Sequence, residues 1–133
     1  MKVTGQCQCE AIRYEAEIDP AKVSACHCTD CQQFSGAPYR VGVPAPKESF
    51  RLLSGAPKIY IKTAESGNKR AQAFCANCGS SIYASAATDP QMYSLRVGGL
   101  DQRAQLPPQR QIWWRSAVEW SQNLQQLPKV ERQ

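Results

Sequence analysis

Hydrophobic and polar residues alternate in four short stretches of the chain, 12–18, 39–43, 58–62 and 93–97. A period of two is typical of β-strands that have one buried and one exposed face. The alternation therefore predicts a set of half-buried strands. The side chains expected to face the core are Ile12, Tyr14, Ala16, Ile18, Tyr39, Val41, Val43, Ile59, Ile61, Tyr93, Leu95 and Val97.

Turn-forming residues separate these stretches, for example at Asp19-Pro20, Ser54-Gly55 and Asp89-Pro90. Many short strands joined by turns favour an antiparallel all-β fold over alternating strands and helices. Short helical segments are expected only at 29–34 and 117–124. The chain of 133 residues has the length of one domain, so 1–133 is interpreted as a single domain.

The chain carries a formal net charge of +5 at pH 7, with a pI of about 8.9. Its basic residues are spread along the sequence, so we do not expect a nucleic-acid partner. No apolar stretch approaches the roughly 20 residues that cross a bilayer. Residues 1–9 lack the apolar run of a secretory signal. These features predict a cytoplasmic protein without a membrane partner.

Seven cysteines fall into three tight groups along the chain. The odd number and the lack of a secretory signal argue against a disulfide framework. Spacings of two and three residues are instead typical of thiolates that bind a common metal ion. Buried free cysteines are the alternative interpretation. The groups are Cys7 and Cys9, then Cys26, Cys28 and Cys31, and then Cys75 and Cys78.

The first and last groups together predict a structural zinc site. The sequence FCANCG at 74–79 has the form of a zinc knuckle, in which a tight turn directs two thiolates to one ion. Gly79 suits the positive φ that this turn needs after its second cysteine. The backbone must also bend near Cys7 and Cys9, because alternate residues of a strand lie too far apart, and Gly5 is the expected bending point. The predicted ligands are Cys7, Cys9, Cys75 and Cys78.

The middle group offers three thiols within six residues, Cys26, Cys28 and Cys31. A strand that runs into a helical turn at Thr29 would direct all three sulfurs to one point. Three protein ligands leave a tetrahedral metal ion with an open position, which is typical of a reactive site. The alternative is that a fourth residue from elsewhere completes a second structural site.

His27 is the only histidine, and on a strand its side chain would face away from those of Cys26 and Cys28. We therefore expect it to support the metal site or the fold rather than to bind the metal. No cysteine stands alone with a histidine partner, so catalysis by a cysteine nucleophile is not expected. Ferredoxin-type spacings do not occur, which argues against an iron–sulfur cluster.

Three sequence blocks resemble the glutathione-dependent formaldehyde-activating enzyme family, also called the centromere protein V domain. The blocks are GQCQC at 5–9, CHCTDC at 26–31 and FCANCGS at 74–80. The resemblance covers about 3–120 and leaves 121–133 as a C-terminal tail. It implies an Mss4-like β-tent, in which antiparallel sheets surround a structural zinc. It also implies a second zinc at the active site, which is expected to be labile.

Two positions depart from the usual pattern of this family. Glu10 stands directly after the first cysteine pair, where members commonly have glycine. Gln111 lies in a stretch where many members have a histidine shortly before an aromatic residue. If that histidine shapes the substrate pocket, the substrate or the activity of this protein would differ.

The resemblance implies a carbon–sulfur lyase that acts on an adduct of a thiol and an aldehyde. A thiol such as glutathione would add to formaldehyde and give S-hydroxymethylglutathione, and the reverse step would cleave the carbon–sulfur bond. Cys26, Cys28 and Cys31 would take part through the second zinc. One alternative is a lyase for a different thiol adduct. Another is a non-catalytic zinc module that binds protein or nucleic acid.

Glutathione carries two carboxylates, so its pocket should contain basic side chains. The candidates are Arg40, Arg70 and Arg96, although each also fits an exposed strand position.

Aromatic residues near the C terminus support the alternative of a non-catalytic binding module. We interpret these residues as part of the core or of a homodimer interface. They are Trp113, Trp114 and Trp120.

Overall fold

The computed structural model describes residues 1–133 and contains ten β-strands and one α-helix. The strands are β1 (Lys2–Gln6), β2 (Arg13–Glu17), β3 (Ser24–Cys26), β4 (Arg40–Pro46), β5 (Arg51–Ser54), β6 (Lys58–Thr63), β7 (Lys69–Phe74), β8 (Ser81–Ala86), β9 (Met92–Arg96) and β10 (Arg110–Ile112). Helix α1 spans Thr29–Ser35, and the 3₁₀ segments are Pro20–Lys22, Lys47–Ser49, Val97–Gly99, Arg103–Gln105, Trp114–Ser116 and Glu119–Gln126. The predicted all-β class with short helical segments is confirmed. No helical segment has the length and apolar character needed to span a membrane.

The strands form two sheets. The smaller sheet has the order β1-β2-β5, and the larger has the order β10-β3-β4-β9-β8-β7-β6. All neighbouring strands are antiparallel except β10 and β3, which run parallel. This pair departs from the predicted antiparallel arrangement. It is possible because the long segment from Cys26 to Arg110 supplies the connection that a parallel pair requires.

The hydrophobic core lies between the two sheets. Val3 and Tyr14 contribute to it from the smaller sheet, and Val43 and Leu95 contribute from the larger sheet. All four are at most 1% exposed. The alternation predicted at 12–18 is confirmed, because its four apolar residues are all buried.

The stretch 58–62 forms strand β6 as predicted, but its expected burial is wrong. Ile59 and Ile61 are 42% and 45% exposed. β6 is the last strand of the larger sheet, so it has a neighbour on one side only. An edge strand leaves much of its apolar face uncovered, whatever its sequence period. Tyr39, which precedes β4, is also exposed rather than buried.

The three tryptophans near the C terminus do not belong to the core. Trp113, Trp114 and Trp120 are each about half exposed, so the interpretation of these residues as core is wrong. They follow β10, the other edge strand of the larger sheet, and lie in or beside short 3₁₀ segments. Their part in a homodimer interface stays a prediction.

The outer face of the larger sheet presents the residues that matter for function. Strand residues on this face alternate with the core residues. Cys26 of β3 is paired with Arg40 of β4, and Gly42 of β4 is paired with Arg96 of β9. The strand register therefore brings cysteines and arginines together from segments that are far apart in sequence.

Candidate functional site

Two cysteines near the N terminus and two from the middle of the chain meet at one point, which we call the four-cysteine cluster. The sulfurs of Cys7, Cys9, Cys75 and Cys78 all lie within 4.8 Å of one another. Cys7 Sγ lies 3.6 Å from Cys9 Sγ, which lies 3.8 Å from Cys75 Sγ. Thiolates bound tetrahedrally to zinc, with Zn–S bonds of about 2.3 Å, are about 3.8 Å apart. The cluster thus has the donors and the spacing that a zinc ion requires.

The turn between β1 and β2 supplies the first two of these cysteines. Its bend lies at Gln8 and Cys9, where the Glu10 N–H donates to Cys7 O at 2.9 Å and closes the turn, and not at Gly5 as predicted. Glu10, which follows, has a left-handed φ of 63°. Gly5 lies within β1, where a Cβ atom would come within 2.5 Å of the Tyr14 ring. The glycine at position 5 therefore makes room for a core tyrosine. The amide N–H groups of the turn face inward, and Ile12 N–H donates to Cys7 Sγ at 3.3 Å.

The knuckle turn between β7 and β8 supplies the other two cysteines. Gly79 has a φ of 77°, which confirms the predicted positive value. Its N–H donates to Cys75 O at 2.8 Å and closes the turn. The hydroxyl of Ser80 lies 3.2 Å from Cys78 Sγ, and hydrogen bonds with Ser80 lower the pKa of the Cys78 thiol to about 5. Burial raises the pKa of Cys7 to about 11, so a cation is needed before all four thiols ionise.

Cys26, Cys28 and Cys31 form the three-cysteine cluster, in which the sulfurs again lie within 4.8 Å of one another. Cys26 ends β3, Cys28 is the N-cap of α1, and Cys31 lies in the first turn of that helix. The Cys31 N–H donates to Cys28 Sγ at 3.3 Å. The predicted strand that runs into a helical turn at Thr29 is therefore present, and it directs the three sulfurs to one point.

The three-cysteine cluster gains no fourth ligand from the chain. No further histidine, cysteine or carboxylate has a ligand atom within the same group. His27 is completely buried and faces elsewhere, since its Nε2 lies 2.8 Å from Gln111 Oε1 and its ring packs edge-on against Trp114. The cluster therefore differs from the four-cysteine cluster in its number of ligands.

Gln111, one of the two departures from the usual family pattern, is the hydrogen-bond partner of His27. It is absent from the lining of the cavity described next, whereas its neighbours Ile112 and Trp113 are part of that lining. The pair of Gln111 and His27 thus connects β10 to the end of β3 on the far side of the three-cysteine cluster.

A cavity of about 500 Å³ opens over the three-cysteine cluster on the outer face of the larger sheet. Two ion pairs lie in its wall, Lys62 with Asp30 and Arg115 with Glu65. Aromatic and aliphatic side chains from the end of β10 complete one side. The cavity is therefore polar, with the three thiols in its wall.

All three arginines predicted to bind substrate lie in the wall of this cavity: Arg40, Arg70 and Arg96. None of them forms an ion pair with a carboxylate. Arg96 is only 7% exposed, and burial together with the neighbouring charge of Arg40 lowers the pKa of Arg96 to about 9. It stays charged at neutral pH. No carboxylate of the protein therefore neutralises Arg40, Arg70 or Arg96.

Two of these arginines also affect the pKa of a thiol in the three-cysteine cluster. A hydrogen bond with Cys26, followed by the charges of Arg40 and Arg96, lowers the pKa of Cys31 to about 5. The charge of Arg40 therefore favours the thiolate form that binds metal ions. This is a second reason why the three-cysteine cluster suits a divalent cation.

Gln72 and Gly42 are among the cavity residues that were not predicted from the sequence. Gln72 of β7 accepts hydrogen bonds from Arg96 Nη2 at 3.2 Å and from Arg40 Nη2 at 3.4 Å. Gly42 leaves room for the Ser94 hydroxyl, because a Cβ atom there would lie 3.0 Å from Ser94 Oγ. A signal for Gln72 exists in the stretch RAQAF, where Arg70 and Gln72 alternate with small apolar residues.

Comparisons with known proteins agree with this arrangement. A family model described as glutathione-dependent formaldehyde-activating enzyme matches residues 2–116. An uncharacterized lyase of Schizosaccharomyces pombe is 30% identical over 79 residues, which cover 59% of this chain and 54% of that protein. The chain thus spans about half the length of this curated relative. A crystal structure of a Rhodobacter sphaeroides protein matches with a TM-score of 0.62 at 20% identity, covering 81% of this chain and 98% of the other.

The match to the solved structure supports the fold, and the match to the family model also supports the family assignment. It covers most of the chain and includes both cysteine clusters and the cavity arginines. Both clusters have the donors to bind metal ions, as expected from their sequence spacing. The chain therefore belongs to the glutathione-dependent formaldehyde-activating enzyme family.

Proposed function

We propose that this protein is a zinc-dependent carbon–sulfur lyase that forms or cleaves an adduct of a thiol and an aldehyde, with glutathione and formaldehyde as the reference pair. One observation carries the proposal: three cysteines without a fourth ligand face a cavity in which Arg40, Arg70 and Arg96 lack carboxylate partners. Family membership and the name of the fission yeast relative, a lyase, support an enzyme of this kind.

The two clusters would hold two zinc ions with different roles. Cys7, Cys9, Cys75 and Cys78 would hold a structural ion, because four thiolates complete a tetrahedron. Cys26, Cys28 and Cys31 would hold the second ion, the more labile of the two. When bound, that ion would supply a positive centre with a free position, which favours the thiolate form of a substrate thiol.

The cavity charges fit an anionic thiol. Three thiolates around a divalent ion leave one net negative charge, which offsets one of the three arginines. Lys62 and Arg115 are already paired with carboxylates, so two positive charges remain. Glutathione brings two carboxylates, and guanidinium groups hold carboxylates in a defined orientation. We therefore assign Arg40, Arg70 and Arg96 to substrate binding.

The reaction needs little from the protein beyond orientation. The substrate sulfur bonds to the carbonyl carbon, and the proton lost by the thiol is gained by the carbonyl oxygen. The reverse direction breaks the same carbon–sulfur bond and releases the thiol and the aldehyde. Arginines that fix the carboxylates next to the three-cysteine cluster would hold the sulfur in place, and such positioning accelerates a two-component reaction.

The proposal is tested by measuring exchange between formaldehyde, glutathione and S-hydroxymethylglutathione by NMR. We expect the protein to accelerate the exchange and the Cys28→Ser variant to lose the acceleration. Gln126→Glu is the control, because Gln126 is exposed and lies outside the cavity. Full exchange activity in Cys28→Ser would contradict the proposal. Salt-dependent DNA binding that survives this substitution would instead favour the non-catalytic alternative.

A further inference from the structure

Gln72 lies in the middle of β7 and is only 5% exposed. Its Oε1 atom is the shared acceptor for the guanidinium groups of Arg40 and Arg96. Guanidinium groups donate hydrogen bonds and cannot accept them, so the amide must present its oxygen to the two arginines. A single neutral oxygen thus holds two positive side chains.

This neutral partner adds no counter-charge to that of the three-cysteine cluster, whose Cys31 thiol lies close enough to interact with both arginines. Neither Arg40 nor Arg96 has a carboxylate within 4.0 Å. Buried Nε and Nη1 of Arg40 and Nε of Arg96 have no hydrogen-bond partner. Buried charge without a partner is destabilising, and a carboxylate at position 72 would relieve it. Stability alone would therefore favour glutamate here, and the chain has the isosteric amide.

We propose that Gln72 is a positioning residue that determines substrate charge: it orients Arg40 and Arg96 without neutralising them and so reserves their charge for a carboxylate of the thiol substrate. This inference rests on the proposed function for the identity of the substrate. It adds that selection for anionic over uncharged thiols depends on the amide at position 72. Glutamate would occupy the same space and would compete with the substrate for both guanidinium groups.

The Gln72→Glu variant should separate stability from binding. Its melting temperature should rise by about 3 °C, because two buried guanidinium groups gain a counter-charge. Its KM for glutathione should rise about tenfold, because the same counter-charge excludes the substrate carboxylate. Its kcat should change little, and its KM for glutathione diethyl ester, in which the carboxylates are masked, should stay the same. If Gln72 had a merely structural role, the substitution would change KM for glutathione and KM for its diethyl ester to the same extent.

Two controls accompany this variant. Gln126→Glu makes the same charge change at an exposed position and should alter neither the melting temperature nor the KM for glutathione. Gln72→Met removes the shared acceptor, so it should lower the melting temperature and also weaken binding of anionic thiols. Zinc content is measured for each variant, since equal content shows that the effects do not arise from metal loss.

Calorimetric binding of S-methylglutathione tests the inference without turnover. We expect wild-type protein to bind this thioether, which carries two carboxylates, about tenfold more tightly than Gln72→Glu does. If wild type shows no adduct exchange but this difference is found, the proposed function fails and the role of Gln72 stands. The opposite result is that exchange is catalysed but Gln72→Glu binds S-methylglutathione like wild type, or melts at a lower temperature than wild type. The role of Gln72 is then refuted and the proposed function stands.

Discussion

Glu10 is a strained residue at the end of the turn that carries the first cysteine pair. Its N–H donates to Cys7 O at 2.9 Å and closes that turn, and its own backbone is left-handed, with a φ of 63°. Glycine adopts this conformation without steric cost, which accounts for the glycine common at this position in the family. In this chain the glutamate also forms an exposed ion pair with Arg13 at 2.9 Å.

Replacing Glu10 with glycine should stabilise the protein slightly. The left-handed conformation costs an ordinary residue about 1 to 2 kcal/mol, while the lost ion pair and the freer unfolded chain together cost about 1 kcal/mol. We expect the free energy of unfolding to rise by about 0.5 kcal/mol for Glu10→Gly. Glu10→Ala is the control, because it loses the ion pair but keeps the strain, and it should be slightly destabilising. A stabilised alanine variant would contradict the assignment of strain.

From its contacts, we infer that His27 stabilises the fold and takes no part in the reaction. Its ring is completely buried, contacts Tyr39 and Trp114, and pairs with Gln111. We expect His27→Ala to lower the free energy of unfolding by about 2 kcal/mol, since it creates a cavity and removes a buried hydrogen bond. Adduct exchange at a temperature where the variant is folded should stay within about twofold of wild type. Loss of exchange in folded, zinc-loaded His27→Ala would assign the histidine to catalysis.

At the scale of elements, the strands and the short helix were predictable because their signals are local. Alternation predicts β2, and the spacing from Cys26 to Cys31 predicts a strand that enters a helical turn. Burial was less predictable, because it depends on which strands are neighbours. β6 has the alternation of a half-buried strand and still lies at the edge of the sheet. The parallel pairing of β10 with β3 depends on sheet order, which no local pattern contains.

The backbone conformation of Gly79 in the knuckle turn can be tested by substitution. Gly79 has a positive φ, and no atom lies within 4 Å of the position that a Cβ would take. Gly79→Ala should therefore cost about 1 kcal/mol through backbone strain alone. The matched control is Gly98→Ala, because Gly98 has equal space without a positive φ. Thermal unfolding measures both variants, and equal melting temperatures would show that the knuckle does not depend on this backbone conformation.

At the scale of the whole molecule, we infer that the two cysteine clusters have different roles, one structural and one in the reaction. The four-cysteine cluster joins the β1–β2 turn to the β7–β8 turn and so links the two sheets. The three-cysteine cluster lies on the outer face of the larger sheet and opens into the cavity. Removing metal from the first cluster should loosen the fold, while removing it from the second should affect the cavity alone.

Sequence spacing predicted the partition of the seven cysteines, because metal ligands obey local geometry. It could not predict that Arg40, Arg70 and Arg96 share one cavity. Their convergence depends on strand register across β4, β9 and β7, and each of them also fits an exposed strand position. Gln72 was missed for the same reason, since its role exists only when Arg40 and Arg96 lie on either side of its amide oxygen.

The most direct test of this account is the zinc content of purified Cys28→Ser and Cys75→Ser, measured together with their thermal unfolding. We expect wild type to contain two equivalents of zinc. Cys28→Ser should keep one equivalent and melt cooperatively close to wild type, because only the cavity cluster is lost. Cys75→Ser should fail to fold stably, because the metal that joins the two sheets is lost. Equal loss of folding in both variants, or two equivalents of zinc in Cys28→Ser, would contradict the division into a structural and a reactive site.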